Sequence, residues 1–587
     1  MPLAGGEALD LIAPRTASPL RSRTIVQREE RAVRHGGAGS AVASIPTMLL
    51  RLTLLRLAAG ASRGTPRPVL DPPRSLRGPV LARTHAAALV GIETHLVEVQ
   101  VDVGLGMPQT SVVGLPEAAV RESKDRVRAA IRNAGYDYPL GRITVNLAPA
   151  SMRKDGAAYD LAIAVAILAA AGAIDPARLD DSVLAGELAL DGRLAPLRGA
   201  LALAVGIRRA GPRALILPAA NAVEAALAQG ATVFGARTLA EAITHVTGAC
   251  PLPPTLADPA ALLVNGQTWE VDYADVRGNE IARRAMEIAA GGGHNVLLVG
   301  PPGSGKTMLA RRLPTILPPL RPVEALDTTA VHSVAGLLGA LPLVATPPFR
   351  APHHTVSRAG LVGGGTHPRP GETALAHNGV LFLDELPEFS RDALEALRQP
   401  LEEAAVTITR ANAAARFPTS FILVAAMNPC PCGHYGNPQR TCTCVLPHIA
   451  RYRARISGPL LDRIDLHVEV PAVPYERLAA RAPGEPSAAM RARVAAAREI
   501  QASRFADRAW KANARMSAAD IRRHAVLDAE GQRLLGAATV RLGLSARGYG
   551  RVLKVARTIA DLAGSDTIDC AHVAEAIQYR SLDRALA

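Results

Sequence analysis

Residues 300 to 307, Gly300-Pro301-Pro302-Gly303-Ser304-Gly305-Lys306-Thr307, follow the pattern G-x-x-x-x-G-K-[ST]. Glycines at these offsets let backbone N–H groups close around phosphate oxygens. Lys306 offers charge to the outer phosphates, and the Thr307 hydroxyl can ligate magnesium. The motif needs a strand before it and a helix after it. Asn295 to Val299 (NVLLV) supplies the strand and MLARRL the helix. The competing reading is a glycine-rich turn that merely precedes a helix.

A second apolar run, Gly379 to Leu383, ends in Asp384-Glu385, 78 positions after Lys306. This is the strand-then-acid arrangement of a Walker B motif: Asp384 would hold the magnesium through water and Glu385 would act as general base on the attacking water. A third run, Phe421 to Ala426, delivers Asn428, whose amide could sense the γ-phosphate or orient the water. The other reading of Asn428 is a turn former before Pro429.

Cys430, Cys432, Cys442 and Cys444 follow the third run as two C-x-C pairs nine residues apart. Four thiolates on one loop suit a closed, structural zinc site, with His434 and His448 as substitute ligands and unligated reduced thiols as the alternative. A full cysteine set leaves no open position for catalysis. Arg350, His353 and His354, in PFRAPHHTVS, either grip a polymer or pack an insert against the core. Arg410, on an expected hairpin, carries the same two readings.

The elements that position these groups sit in a chain of 587 residues with 49% hydrophobic, 20% charged and 3% aromatic residues. That is globular composition with aliphatic cores, and it argues against a binder that stacks bases on aromatic rings. Of the net charge of +14, residues 1–79 contribute half, with twelve Arg and five acidic residues. They are expected to be disordered or an overextended reading of the start. The rest is mildly basic. No charge-free apolar run is long enough to span a membrane, so no membrane role is expected, and Leu161 to Ile174 reads as a buried helix. The six cysteines suit the reducing cytoplasm. Residues 80–247 alternate strands and helices, 248–268 form a Pro-rich linker, 269–471 the nucleotide core, and 472–587 a helical tail.

GPPGSGKT, GVLFLDEL and Asn428 together resemble the AAA+ ATPases. PFRAPHHTVS, VGGG and GETALAHNG look like the magnesium-chelatase-like branch, and the resemblance narrows to the bacterial YifB/ComM family from Val80 to about Leu586. It implies an α/β multidomain fold: a Lon-protease-like α+β N-terminal domain, an AAA+ P-loop αβα core and a C-terminal helical lid. ATP and Mg2+ follow as ligands. Ser457 to Leu466 is similar to the family's arginine-finger segment, so Arg463 would reach a neighbour's γ-phosphate. Ser545-Ala546-Arg547 looks like a sensor 2 helix, with Arg547 touching nucleotide from the lid. A finger in trans implies a ring, most simply a hexamer.

The resemblance to Lon proteases places the nucleophilic serine two residues after Lys154-Asp155-Gly156, where this chain has Ala158, and the base on a later helix, where Leu194 to Ala210 contains no lysine. Peptide hydrolysis of the Ser-Lys type is therefore unavailable. The family resemblance implies a DNA helicase that drives branch migration on single-stranded or branched DNA during natural transformation. The alternatives are an ATPase subunit that inserts magnesium into a tetrapyrrole and a motor that remodels proteins.

Overall fold

The computed structural model describes residues 81–580 except 212, 267–268, 340, 366–367, 411–412, 438–439, 475–476, 478–483 and 509. The expectations for residues 1–79 lie outside the described residues.

Residues 82–246 build on a seven-stranded mixed sheet. Its order is Gln109–Val113, Arg142–Ala148, Glu93–Gly104, Ala82–Val90, Ser182–Leu184, Ala214–Pro218, Val233–Ala236. The first hairpin turns at Gly91-Ile92, where Gly91 takes φ +65°, and pairs Val90 with Glu93. The helix Asp160–Ala170 is buried at every residue, which explains its unbroken apolar sequence. Asp160 at its start accepts from Arg126 Nε at 2.8 Å and from the Leu188 N–H at 3.3 Å. The stretch expected as a linker includes the helix Pro259–Asn265, whose Leu263 is buried in one cluster with Leu215, Leu320 and Ala325. It is therefore packed structure as well as a connection.

The second sheet has five parallel strands in the order Phe349–Arg350, Val380–Leu383, Ile422–Met427, Val296–Val299, Leu466–Glu469. Both faces are covered, so its strands read as continuous apolar runs rather than alternating ones. Alternate residues nevertheless go to different cores. Val296, Leu298, Phe382, Val424 and Val468 join one cluster that includes Val494, Val552 and Ile559 of the tail. Leu297, Leu381, Leu383, Leu423 and Ala425 join another with Leu394, Phe417 and Leu460. The tail is helical: Ser487–Arg504, Ala518–His524, Ala529–Leu542, Ala546–Leu562 and Cys570–Gln578. Ser517, Asp528, Ser545 and Asp569 cap the last four by accepting backbone N–H groups.

Ahead of the third strand, Ala405–Arg410 and Ala413–Pro418 pair as the expected antiparallel hairpin. One face of it meets the Gly91 turn, where a Cβ would lie 2.8 Å from Ala415 Cβ.

His377 ties this region to the sheet, its buried Nδ1 accepting the Ser420 N–H at 3.0 Å. Burial, with help from Arg515, pushes its pKa down to about 4. Below the ordinary histidine value the unfolded chain takes up a proton that the folded site refuses. Stability is therefore complete above pH 6.5 and falls as pH drops toward 4, by on the order of 3 kcal/mol. His377→Asn keeps an acceptor in the Nδ1 position without the titration. Its unfolding midpoint is expected to fall less than that of the wild type between pH 7 and 4.5; equal falls would contradict this account of His377.

Candidate nucleotide site

In a parallel sheet the loops after the strands open at one edge, where ligands of such folds collect. Five residues from three strand ends meet there. The loop 300–305 leaves Val296–Val299 and enters the helix Lys306–Ile316. Gly300 has no room for a side chain, since a Cβ would lie 2.1 Å from the Val470 carbonyl oxygen. Gly303 and Gly305 take φ +76° and +92° and face open space, so the loop's N–H groups border an unfilled cradle. Ser304 Oγ is buried there without a hydrogen-bond partner among the described residues.

Lys306 Nζ donates to Gly300 O at 2.8 Å, Pro301 O at 2.9 Å and Asn428 Oδ1 at 3.3 Å. Burial lowers its pKa, and the nearby Asp384 opposes that shift. Thr307 Oγ1 donates to Asp384 Oδ2 at 2.8 Å, joining hydroxyl and carboxylate across 77 residues of chain. The other oxygen, Asp384 Oδ1, accepts the Glu385 N–H at 2.9 Å. Glu385 has φ +52°, a left-handed conformation that costs ~1–3 kcal/mol in a non-glycine residue. The orphan hydroxyl, the open cradle, the lysine and the hydroxyl–carboxylate pair all fit a magnesium-bound nucleoside triphosphate.

Sequence reasoning missed one contact. His354 Nδ1 lies 3.3 Å from Glu385 Oε2, and the His353 and His354 rings sit 4.1 Å apart. The signal was the proximity of His354 to the end of a strand, but only the pairing of Phe349–Arg350 with Val380–Leu383 places it beside the acid. Arg350, by contrast, forms a two-pronged bond to Glu372 at 2.6 and 2.9 Å, the packing role of its two readings. The side chain of Arg410 lies outside the described residues.

Arg463 and Arg547 are elsewhere. Arg463 precedes Leu466–Glu469, and Asn295 Nδ2, ahead of Val296–Val299, donates to its carbonyl at 3.0 Å. It therefore stands at the amino edge of the sheet, a strand's length of about 13 Å or more from its own phosphate loop. Its side chain is 7% exposed, its guanidinium bonded to Glu402 and Pro459 O, with Nε lacking a partner among the described residues. Burial lowers its pKa, and Arg398, Arg547 and Arg551 add to the effect. Arg551, one helical turn after Arg547, bonds Asp465, two residues past Arg463, which places Arg547 on the same side of the sheet as Arg463. The structure brings Lys306, Thr307, Asp384, Glu385 and Asn428 together and gathers the two arginines at the opposite edge.

The cysteine loop borders the site. Sγ of Cys430 lies 3.4 Å from that of Cys432 and 3.7 Å from that of Cys442, and Cys432 and Cys442 are 3.6 Å apart. With Cys444, all four sulfurs lie within 4.8 Å of one another; His434 and His448 stand outside the group. The backbone N–H groups of His434 and Thr443 lower the pKa of the Cys432 thiol. Lys154, of the N-terminal turn, is buried and donates to Gly114 O at 3.1 Å and to Pro149 O, a structural use of its charge.

A phosphate loop, a strand-end acid pair and a strand-end asparagine on this five-stranded parallel sheet define a core of the AAA+, magnesium-chelatase-like kind. Three family models match the chain: "Magnesium chelatase, subunit ChlI" over residues 272–478, "Subunit ChlI of Mg-chelatase" over 97–221, and "Magnesium chelatase, subunit ChlI C-terminal" over 484–580. The chain is 45% identical over 508 residues to the uncharacterized protein YifB of Salmonella typhimurium, spanning 86% of this chain and 98% of that one. It is 44% identical over 510 residues to competence protein ComM of Haemophilus influenzae, with the same coverage. A more distant match, the magnesium-chelatase 67 kDa subunit of Chlorobaculum parvum, is 27% identical over 164 residues, 27% of this chain and 23% of that one. The chain belongs to the YifB/ComM family of magnesium-chelatase-like proteins, whose relationships indicate an AAA+-type ATPase. Among the described residues no helix is long and apolar enough to cross a membrane.

Proposed function

We propose that the protein is an ATP-hydrolysing ring motor, most simply a hexamer, that acts on single-stranded or branched DNA and drives branch migration during DNA uptake. The observation that carries the ATPase reading is the convergence of Lys306, Thr307, Asp384, Glu385 and Asn428 at one edge of the sheet. The DNA reading rests on likeness to ComM, a competence protein matched over 98% of its length. Three domains and a connecting segment serve the motor: the N-terminal domain 80–247 as a protease-dead, Lon-like scaffold, the connecting segment 248–268, the core 269–471 and the lid 472–587. The free cysteines suit work in the cytoplasm.

Lys306 gives up its bonds to Gly300 O and Pro301 O to hold the outer phosphates of bound ATP. Thr307 and Asp384 would hold magnesium, which when bound neutralises phosphate charge. Glu385, half exposed on its strained turn, accepts the proton of the attacking water, and Asn428 orients that water from the end of its strand. Arg463 and Arg547, gathered at the opposite edge, serve a neighbouring subunit, Arg463 by stabilising the charge of the transferred phosphoryl group.

The chelatase alternative has weaker support, since the likeness to the 67 kDa subunit covers only 23% of that protein. Glu385→Gln, trapped with ATP and used as bait at low salt, is expected to retain DNA. Retention of chelatase subunits or of unrelated proteins, with no DNA, would overturn the DNA reading.

A further inference from the structure

We propose that Cys430, Cys432, Cys442 and Cys444 bind one zinc-class ion, and that this ion seats the wall of the nucleotide site, so that metal occupancy controls nucleotide binding. This rests on the nucleotide site assigned above.

The sulfur spacing fits the ion. Zinc–sulfur bonds of about 2.3 Å in a tetrahedron place sulfurs about 3.8 Å apart. The three pairs among Cys430, Cys432 and Cys442 lie at 3.4, 3.6 and 3.7 Å. A disulfide would need about 2.05 Å. Backbone N–H groups of Tyr435 and Cys444 donate to Cys430 Sγ at 3.3 Å and Cys442 Sγ at 3.4 Å, the outer partners that orient and charge sulfur ligands. Four protein ligands close the coordination sphere, so the ion is structural.

Hydrophobic burial contributes little to the shape of the loop. Among the described residues of 428–445 only Cys430 and Gly433 are buried, and the segment contributes no apolar cluster beyond them. A crosslink through metal supplies the constraint that a hydrophobic core would otherwise provide.

That constraint falls directly on the nucleotide site. Cys430 stands two residues after Asn428, the acceptor of Lys306 Nζ. Gly433, one residue past the second ligand, takes φ +82°, and a Cβ there would lie 2.6 Å from Pro302 Cδ and 3.9 Å from Asn428 Cγ. The turn that runs from Cys430 through the first ligand pair to Gly433, closed by the Gly433 N–H on Cys430 O at 3.0 Å, therefore packs directly on the phosphate loop. On its far side Arg453 donates to Pro429 O at 3.2 and 3.3 Å and stacks over Tyr435, so the loop is braced between the helix Leu446–Arg453 and Pro302. Removing the ion releases that brace, and the phosphate loop and Asn428 lose their common wall. Misplacement by about 1 Å in such a site costs on the order of 10²-fold.

Two measurements on the full chain test the proposal: zinc content by mass spectrometry after dialysis, and affinity for a fluorescent ATP analogue. The wild type is expected to carry one zinc per chain. Cys442→Ser is expected to lose the zinc and to bind the analogue at least about tenfold more weakly. Gly433→Val leaves all four sulfurs in place. It is expected to keep its zinc and still lose affinity to a similar degree, which separates pressure on Pro302 from unfolding of the loop. A wild type that neither carries nor takes up zinc would overturn the site. Zinc-loaded Gly433→Val with wild-type affinity would overturn the coupling. A wild type that carries zinc but binds no analogue would instead contradict the nucleotide reading on which the coupling rests.

Discussion

Glu385→Gln is expected to bind ATP as tightly as the wild type and to hydrolyse it at least about 10²–10⁴-fold more slowly. The amide keeps the shape of the side chain and cannot take a proton from water. Lys306, Thr307 and Asp384 are untouched, and the Asp384 bond to the residue 385 N–H uses backbone only. Binding and chemistry should therefore separate in this variant. Lys306→Ala, by contrast, removes the cation from the cradle and is expected to abolish binding itself. Wild-type turnover by Glu385→Gln would remove Glu385 from the chemistry, and His354, 3.3 Å away, would be the next group to examine.

Arg463→Ala is expected to leave nucleotide binding within about threefold of wild type and to lower turnover by about 10³–10⁵-fold. The guanidinium stands at the amino edge of the sheet, bonded to Glu402 of its own subunit, and a strand's length from its own Lys306. A neighbour's γ-phosphate would take the place of Glu402 as its partner. Arg463→Lys should not restore the rate, because an ammonium lacks the planar fork. The decisive form of the experiment mixes two inactive proteins. Arg463→Ala with Lys306→Ala should regain part of the activity, since some interfaces then pair an intact cradle with an intact finger. Normal turnover by Arg463→Ala alone would contradict the assignment.

The local chemistry of the site was legible because it is written in contiguous motifs. Gly300 to Thr307 must follow a strand and open a helix, and an acid pair or an asparagine at the end of an apolar run is a short-range signal. The buried helix Asp160–Ala170 and the capped helices of the tail were legible for the same reason: apolar run length and cap chemistry are local properties. What the chain order does not carry is which strands become neighbours. Thr307 meets Asp384, and His354 meets Glu385, only because Val380–Leu383 lies between Phe349–Arg350 and Ile422–Met427. The same applies to Gly433, a turn residue by sequence, whose contact with Pro302 depends on where the third strand ends. The orientation of the lid was likewise hidden. Arg547 was expected on nucleotide, and its place near Arg463 follows from the packing of Ala546–Leu562 through the bond of Arg551 to Asp465.

Steady-state ATP hydrolysis by the full chain, with and without single-stranded and branched DNA at modest salt, tests the central claim most directly. The account predicts turnover that DNA stimulates strongly and that vanishes in Glu385→Gln. Robust turnover indifferent to DNA would contradict a DNA motor and favour a chelatase or protein-remodelling role.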